Sequence, residues 1–275
     1  MPSIRKRQRV TTGISGLDSM LGGGLLEESA VLVSGAPGVG KTTLGLQYLV
    51  NGAQLGEPGL LVTFEEFPAT LVRDAKSLGW DLRALESAGQ LRLLFTSPEV
   101  FLKSLEAPDS PLSETIRVLG PRRAVLDSVA HFQRFTSDPV ELRQIYNSLV
   151  NGLKREGITS FLIDESARLL GAHYHRTGAL PFLADAIILM RYVEVDSAMQ
   201  RAMAILKMRG SSHGREIRGF SIGEGRQFTD SELRAKAKVV IIGKTVAQEV
   251  FGPEPPVGQW VRIGRHAYRV IGVMA

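Results

Sequence analysis

The stretch AVLVSGAPGVGKTT, residues 30–43, constrains the fold of this chain more than any other. An apolar, β-type run is followed by G-x-x-x-x-G-K-[ST] from Gly35 to Thr42, and then by apolar residues at helical spacing. Only a strand–loop–helix unit satisfies both halves of that pattern. The glycines let the backbone curl so that successive amides face a phosphate, Lys41 reaches the terminal phosphates, and the Thr42 hydroxyl ligates magnesium. The motif therefore predicts bound ATP with Mg2+, held by Gly35, Pro37, Gly38, Val39, Gly40, Lys41, Thr42 and Thr43.

Further apolar runs, GLLVTFEE, QLRLLF, RRAVLDS, ITSFLID and ADAIILMRYV, alternate with helical stretches. This alternation predicts an α/β fold built on a largely parallel sheet flanked by helices. KTTLGLQYLVNGAQLG and DPVELRQIYNSLVNGLKREG read as crossover helices, the first stopped by Gly56 and the second capped by Asp138 and stopped by Gly157. EAPDSP and FGPEPPVG read as a surface loop and a late turn. The 275 residues suffice for one full α/β domain and a modest appendage.

Other function classes are narrowed by composition. The absence of cysteine removes disulfides, thiol catalysis and cysteine-ligated zinc. No apolar run approaches the roughly 20 residues of a membrane helix, so membrane insertion is not expected and the chain reads as cytoplasmic. The 33 basic residues are interspersed with 28 acidic ones, and the net charge of +5 identifies no ligand by itself. Arg5, Lys6, Arg7 and Arg9 form a basic arm over residues 1–9, read as a solvated terminus.

Several acids close strand-like runs. Glu65 and Glu66 follow LVTF, where a carboxylate at a strand end next to the P-loop strand can orient an attacking water. Spacing does not choose between them. For the magnesium-side aspartate, Asp164, followed by Glu165, is locally the tidier candidate, and Asp127 of RAVLDS is the other.

The stretch TTGISGLDSMLGGGLLEESAVLVSGAPGVGKTT, with LVTFEE, LDS, LKMRGSSH and EIRGF, resembles the KaiC-like ATPases within the RecA-type group of P-loop NTPases, from about Val10 to about Gln227. The resemblance implies a RecA-like domain over 10–230 in which Glu65 and Glu66 carry the catalytic carboxylate and Asp127 is the Walker B residue. It implies that Asp164 and Glu165 sense the nucleotide. It further implies a homohexameric ring with nucleotide between subunits. In that ring Lys207 and Arg209 act on the neighbour's γ-phosphate, and Met208, Ser211 and His213 line the same nucleotide edge. Read alone, Lys207 and Arg209 are two charges on one face of a strand. Slow hydrolysis and an unknown regulatory protein partner are expected. Clock members carry tandem domains and a Ser-Thr phosphorylation pair; Pro181-Phe182 stand at that place here, so the timer chemistry is not expected.

Two segments lie outside that reading. The loop Arg168 to Gly178, containing His173, Tyr174, His175 and Arg176, corresponds to a region that holds single-stranded DNA in RecA-type recombinases, but a polar channel loop without ligand is preferred, leaving repair or recombination as the alternative. After a junction at 231–237, residues 238–275 predict a strand, a short helix, a P-V-G turn and two strands. VVIIG and YRVIGVMA are expected to present exposed edges. This tail resembles a fragment of the periplasmic core of MacB-type transporter permeases, as a gene fusion, an engineered joining or a joined reading frame would produce.

Overall fold

The computed structural model describes residues 8–275 except 108, 166–179, 196–197, 223, 226–234, 236, 265 and 275. The described chain divides into two compact units, one containing residues 1–71 and 82–220 and the other residues 72–81 and 221–275.

In the first unit, β1 (Arg9–Val10) and β2 (Leu25–Leu26) pair antiparallel around α1 (Ser15–Met20). β3 (Ala30–Gly35) feeds α2 (Lys41–Gln54), and β4 (Gly59–Thr63) leads into α3 (Pro68–Ser77), whose residues from Val72 onward belong to the second unit; α4 (Leu82–Ser87) and β5 (Leu91–Phe95) follow in the first. Then come α5 (Pro98–Glu106), α6 (Pro111–Leu119), β6 (Arg123–Asp127) and a 3-10 turn (Val129–Arg134). The last elements of this unit are α7 (Pro139–Arg155), β7 (Thr159–Glu165), α8 (Leu180–Leu183), β8 (Ala186–Val195), β9 (Ala198–Met208) and β10 (Arg218–Phe220). Eight strands form one sheet in the order β10-β9-β8-β3-β7-β6-β4-β5. From β8 to β5 all pairs are parallel; β9 and β10 add antiparallel. This is the α/β, RecA-like, mostly parallel architecture anticipated from the alternating runs.

Local chemistry explains the element ends. Asp138 accepts a hydrogen bond from Val140 N with Pro139 at the first helical position, which starts α7 as the Asp-Pro signal predicts. β3 and β4 are buried along their whole length, because helices cover both faces of a parallel sheet. The core joins Leu32, Val62 and Leu126 on the strands to Phe132, Tyr146 and Leu149.

A fully buried Arg123, at the start of β6, fastens the end of the sheet opposite the P-loop. Its Nε donates to Glu57 Oε2 at 2.7 Å, and its Nη1 donates to the carbonyls of Thr11 at 2.8 Å and Tyr48 at 2.9 Å. Its guanidinium also lies 4.7 Å from the Tyr48 ring centroid. The N-terminal motif clips on beside it. Asp18 Oδ1 accepts from Thr12 N at 2.7 Å and Thr12 Oγ1 at 2.9 Å, and Asn51 Nδ2 donates to Thr11 O at 3.1 Å. The TTGISGLD sequence is thus a structural clasp. Arg9, read as part of a solvated arm, is instead held in it, donating to the carbonyls of Leu21 and Gly24 at 2.7 Å and to Ser211 Oγ at 2.5 Å.

In the second unit, β11 (Glu224–Gly225), β12 (Val239–Gly243), α9 (Lys244–Phe251), β13 (Trp260–Ile263) and β14 (His266–Met274) make a small sheet. The strand–helix–strand–strand order is the one expected. The edge expectation for YRVIGVMA is overturned, since β14 pairs with β12, β13 and β11 in turn and Val270 is fully buried. Ile242, Ala247, Val270 and Val273 form its core.

Candidate functional site

The P-loop leaves β3 at its C-terminal end, between β7 and β8, where the strand order reverses and α/β proteins form their ligand crevice. Gly35 is required there by packing: a Cβ would lie 2.3 Å from Met190 O on the adjoining strand. Gly38 and Gly40 have φ of 75° and 107°, which favours glycine and turns the loop into α2. Tyr192 of β8 braces the loop, its hydroxyl donating to Gly38 O at 2.8 Å.

Lys41, 6% exposed, donates to Ala36 O at 2.9 Å and lies 3.9 Å from Glu165 Oε1. Burial pulls its pKa down, and Glu165, Asp127 and Asp164 oppose that fall. Thr42 Oγ1 donates to Asp127 Oδ2 at 2.6 Å. Burial pushes the Asp127 carboxyl up, against the Thr42 hydrogen bond and the Lys41 charge. Asp164 pairs in register with Ser34, and burial pushes its carboxyl to about 6. One lysine, one hydroxyl and two half-buried carboxyls therefore converge at the start of α2. The Asp127–Ser128 peptide is cis.

The carboxylate strand lies elsewhere than expected. β4 does not adjoin β3, because β7 and β6 lie between them. β4 also ends at Thr63, so Glu65 and Glu66 occupy a turn, where the alternation of a strand does not apply. Thr63 Oγ1 donates to Glu66 O at 2.8 Å and accepts from Glu66 N at 3.2 Å, while Phe64 N donates to Asp127 O at 3.1 Å. These bonds stitch the double-Glu turn to the end of β6. Glu65 Oε2 lies 3.1 Å from His131 Nε2.

Lys207 and Arg209 do not meet the P-loop of their own chain. Lys207 pairs with Ile187 on β8, which pairs with Leu32 near the start of β3, so the two cations stand at the opposite end of the sheet. Both converge on α8. Lys207 Nζ donates to the carbonyls of Pro181 at 3.0 Å, Phe182 at 3.3 Å and Ala184 at 2.5 Å, and Arg209 Nη2 donates to Phe182 O at 2.6 Å. Met208 ends β9, Ser211 receives Arg9, and half-buried His213 precedes Gly214, whose amide donates to Met20 O at 2.7 Å. Residues 209–214 are thereby laced to the N-terminal clasp.

His131 and Tyr192 were missed in the sequence. A histidine four residues past an acid-closed strand was a usable signal for the first; Tyr192 looks like any core aromatic of a strand. The loop with His173 and Tyr174, on which single-stranded DNA was considered, lies outside the described residues, as do Arg5, Lys6 and Arg7. Among the described residues no group of three His, Asp or Glu could hold a metal alone, and no helix is long and apolar enough to cross a membrane. The hard oxygens of Thr42 and Asp127 nevertheless fit a magnesium ion that arrives with phosphate.

The family model described as "ATPase: KaiC" matches residues 10–227. A circadian clock oscillator protein KaiC of Picosynechococcus sp. is 33% identical over 232 residues, covering 84% of this chain and 44% of its own length. Its namesakes from Nostoc sp. and Thermostichus vulcanus are 35% and 36% identical over 224 residues, covering 81% of this chain and 43% of theirs. The chain thus spans less than half the length of these relatives. The family match stops before the tail, and the transporter likeness of residues 238–275 gains no support from it. With the P-loop, the double-Glu turn, Asp127 and the Lys207–Arg209 strand all inside the matched span, the chain belongs to the KaiC ATPase family.

Proposed function

We propose that this chain is a slow ATPase that assembles into a ring in which each nucleotide site takes its P-loop from one copy and its Lys207–Arg209 pair from the next. The observation that carries this reading is the separation of the cations from their own P-loop. Lys207 is level with Leu32, three residues or about 10 Å along the sheet from Gly35, β8 lies between its strand and β3, and both cations are drawn to Phe182 O. Two cations on a rigid strand end, with no phosphate of their own to serve, suit a neighbour's γ-phosphate, where such groups are worth about 10³ to 10⁵ in rate.

Within one copy, the P-loop amides and Lys41 bind the phosphates, and Glu65 or Glu66 orients the attacking water. Thr42 and Asp127 would hold magnesium, which neutralises charge on the phosphate oxygens. Residues 10–230 act as the ATPase domain, 1–9 as its basic arm, 231–237 as a junction and 238–275 as an appendage. A regulatory output through a protein partner, in the cytoplasm, accords with slow turnover. The circadian role in the relatives' names is not carried over, because Pro181 and Phe182 offer no hydroxyl to phosphorylate.

The test mixes two inactive variants. Lys207→Ala/Arg209→Ala and Lys41→Ala should each lack MgATP turnover, and rings shown by mass to contain both should regain it at interfaces with one intact half from each. Mixed rings without activity would refute the shared site. Full activity of the Lys207→Ala/Arg209→Ala variant would return the pair to the role of α8 ligands.

A further inference from the structure

We infer that His131 is a positioning residue for Glu65, and that Glu65 rather than Glu66 is the carboxylate that orients the attacking water; this rests on the reading of the double-Glu turn given above. At 3.1 Å, an imidazole Nε2–H is placed to donate to the Glu65 carboxylate, which has only acceptors to offer when ionised. The His131 side chain is 13% exposed and that of Glu65 76% exposed. The histidine is therefore the fixed partner and the glutamate the group that is held.

What fixes the histidine is the turn that follows β6. Ser128 caps it by accepting from Ala130 N at 3.2 Å, and Val129 and Phe132 anchor it in the core, both fully buried. Phe64 fills the corner between the two turns, its ring centroid 5.4 Å from that of Phe132 and 6.4 Å from that of His131. The Phe64 amide is bonded to Asp127 O. Asp127 at the end of β6, His131 in the turn after it and Glu65 in the turn after β4 are thus joined by one backbone hydrogen bond and one aromatic cluster. The arrangement also answers a problem of reach. Glu65 leaves a strand separated from the P-loop strand by β7 and β6, and an unrestrained glutamate there samples many rotamers. A donor on the β6 turn, next to the metal-side aspartate, limits that freedom. The Glu66 backbone is committed to the turn itself through Thr63.

The experiment measures kcat, KM for MgATP and the melting temperature of the nucleotide-free full chain for six variants. Glu65→Gln should lower kcat about 100-fold or more, and Glu66→Gln should stay within about fivefold of the parent. His131→Leu should lower kcat about 10- to 100-fold with KM within about threefold, as loss of a hydrogen bond to a charged group predicts. His131→Gln, whose side-chain amide can replace Nε2–H, should recover to within about threefold of the parent. His131→Leu in a Glu65→Gln background should have no further effect, because the group it positions is already gone.

Parent-like kcat in His131→Leu overturns the role of His131. So does an equal loss in His131→Leu and His131→Gln together with lowered melting temperatures, which marks packing. Stalling by Glu66→Gln alone overturns the choice of Glu65. Full turnover in the Glu65→Gln/Glu66→Gln double variant removes the double-Glu reading itself, and the inference falls with it.

Discussion

Replacing Asp164 with asparagine should stabilise the nucleotide-free protein, by an amount that depends on pH. Asp164 stands beside the P-loop strand, where burial outweighs the charge of Lys41 and the Ser34 hydrogen bond and raises its carboxyl from 3.8 to about 6. A folded carboxyl that ionises late keeps a proton that the unfolded chain has already released. Stability therefore falls as pH rises from about 4 to about 6, and is level above that. Two pH units at about 1.4 kcal/mol each give a cost of about 3 kcal/mol at pH 7.5, shrinking to about 1 kcal/mol at pH 4.5. Asparagine keeps an acceptor for Ser34 and cannot ionise, so it removes that cost. The assay is urea unfolding of parent and variant at both pH values, with chelator and no nucleotide. The variant should gain about 3 kcal/mol at pH 7.5 and about 1 kcal/mol at pH 4.5, with unchanged slopes. An equal difference at the two pH values, or a less stable variant at pH 7.5, would refute the burial argument. Turnover should fall while stability rises, as expected where a strained charge is kept for function.

Arg123→Met should cost about 3 to 5 kcal/mol of unfolding free energy by urea titration, because Glu57 and the carbonyls of Thr11 and Tyr48 lose a buried charged donor. Asp127→Asn should raise the magnesium concentration for half-maximal turnover about 10- to 100-fold, whereas Asp164→Asn should leave it unmoved; the reverse result in a magnesium titration would exchange their roles. Truncation after Ser231 should leave MgATP turnover intact, since the P-loop, Glu65, Asp127, Lys207 and Arg209 all belong to the other compact unit. Loss of turnover in the soluble truncated chain would make the tail an integral part of the enzyme.

What was legible in the sequence is what a short window determines. Glycines at positive φ and Lys41 bonded back to Ala36 O close the P-loop within a few residues, and the Asp138-Pro139 cap is readable for the same reason. Strand order is not local. The chain runs β3, β4, β5, β6, β7, yet the sheet places β7 and β6 between β3 and β4, so consecutive apolar runs suggested a neighbour for the P-loop strand that it does not have. The tail erred in the same way: VVIIG and YRVIGVMA read equally as edges, and only pairing reveals that β14 is enclosed by three strands.

The same distinction explains why Lys207 and Arg209 resisted a reading from spacing. Two residues apart on a strand they would share a face; β9 ends at Met208 and Arg209 begins the next turn, yet both still reach Phe182 O. A shared face does not say which end of the sheet the face belongs to. β8 runs parallel to β3 and β9 returns antiparallel, so Tyr192 on the outward strand reaches the P-loop while Lys207, fifteen residues later, lies at the far end. That reversal follows from the hairpin, and the hairpin requires the pairing of Tyr192 with Arg201 and of Ile187 with Lys207. On the proposed shared-site reading, what matters is a quantity that neither motif contains, the register that sets Lys207 level with Leu32 and lets the carbonyls at α8 take up its ammonium; a nucleotide held by a neighbouring copy is then the one it would serve.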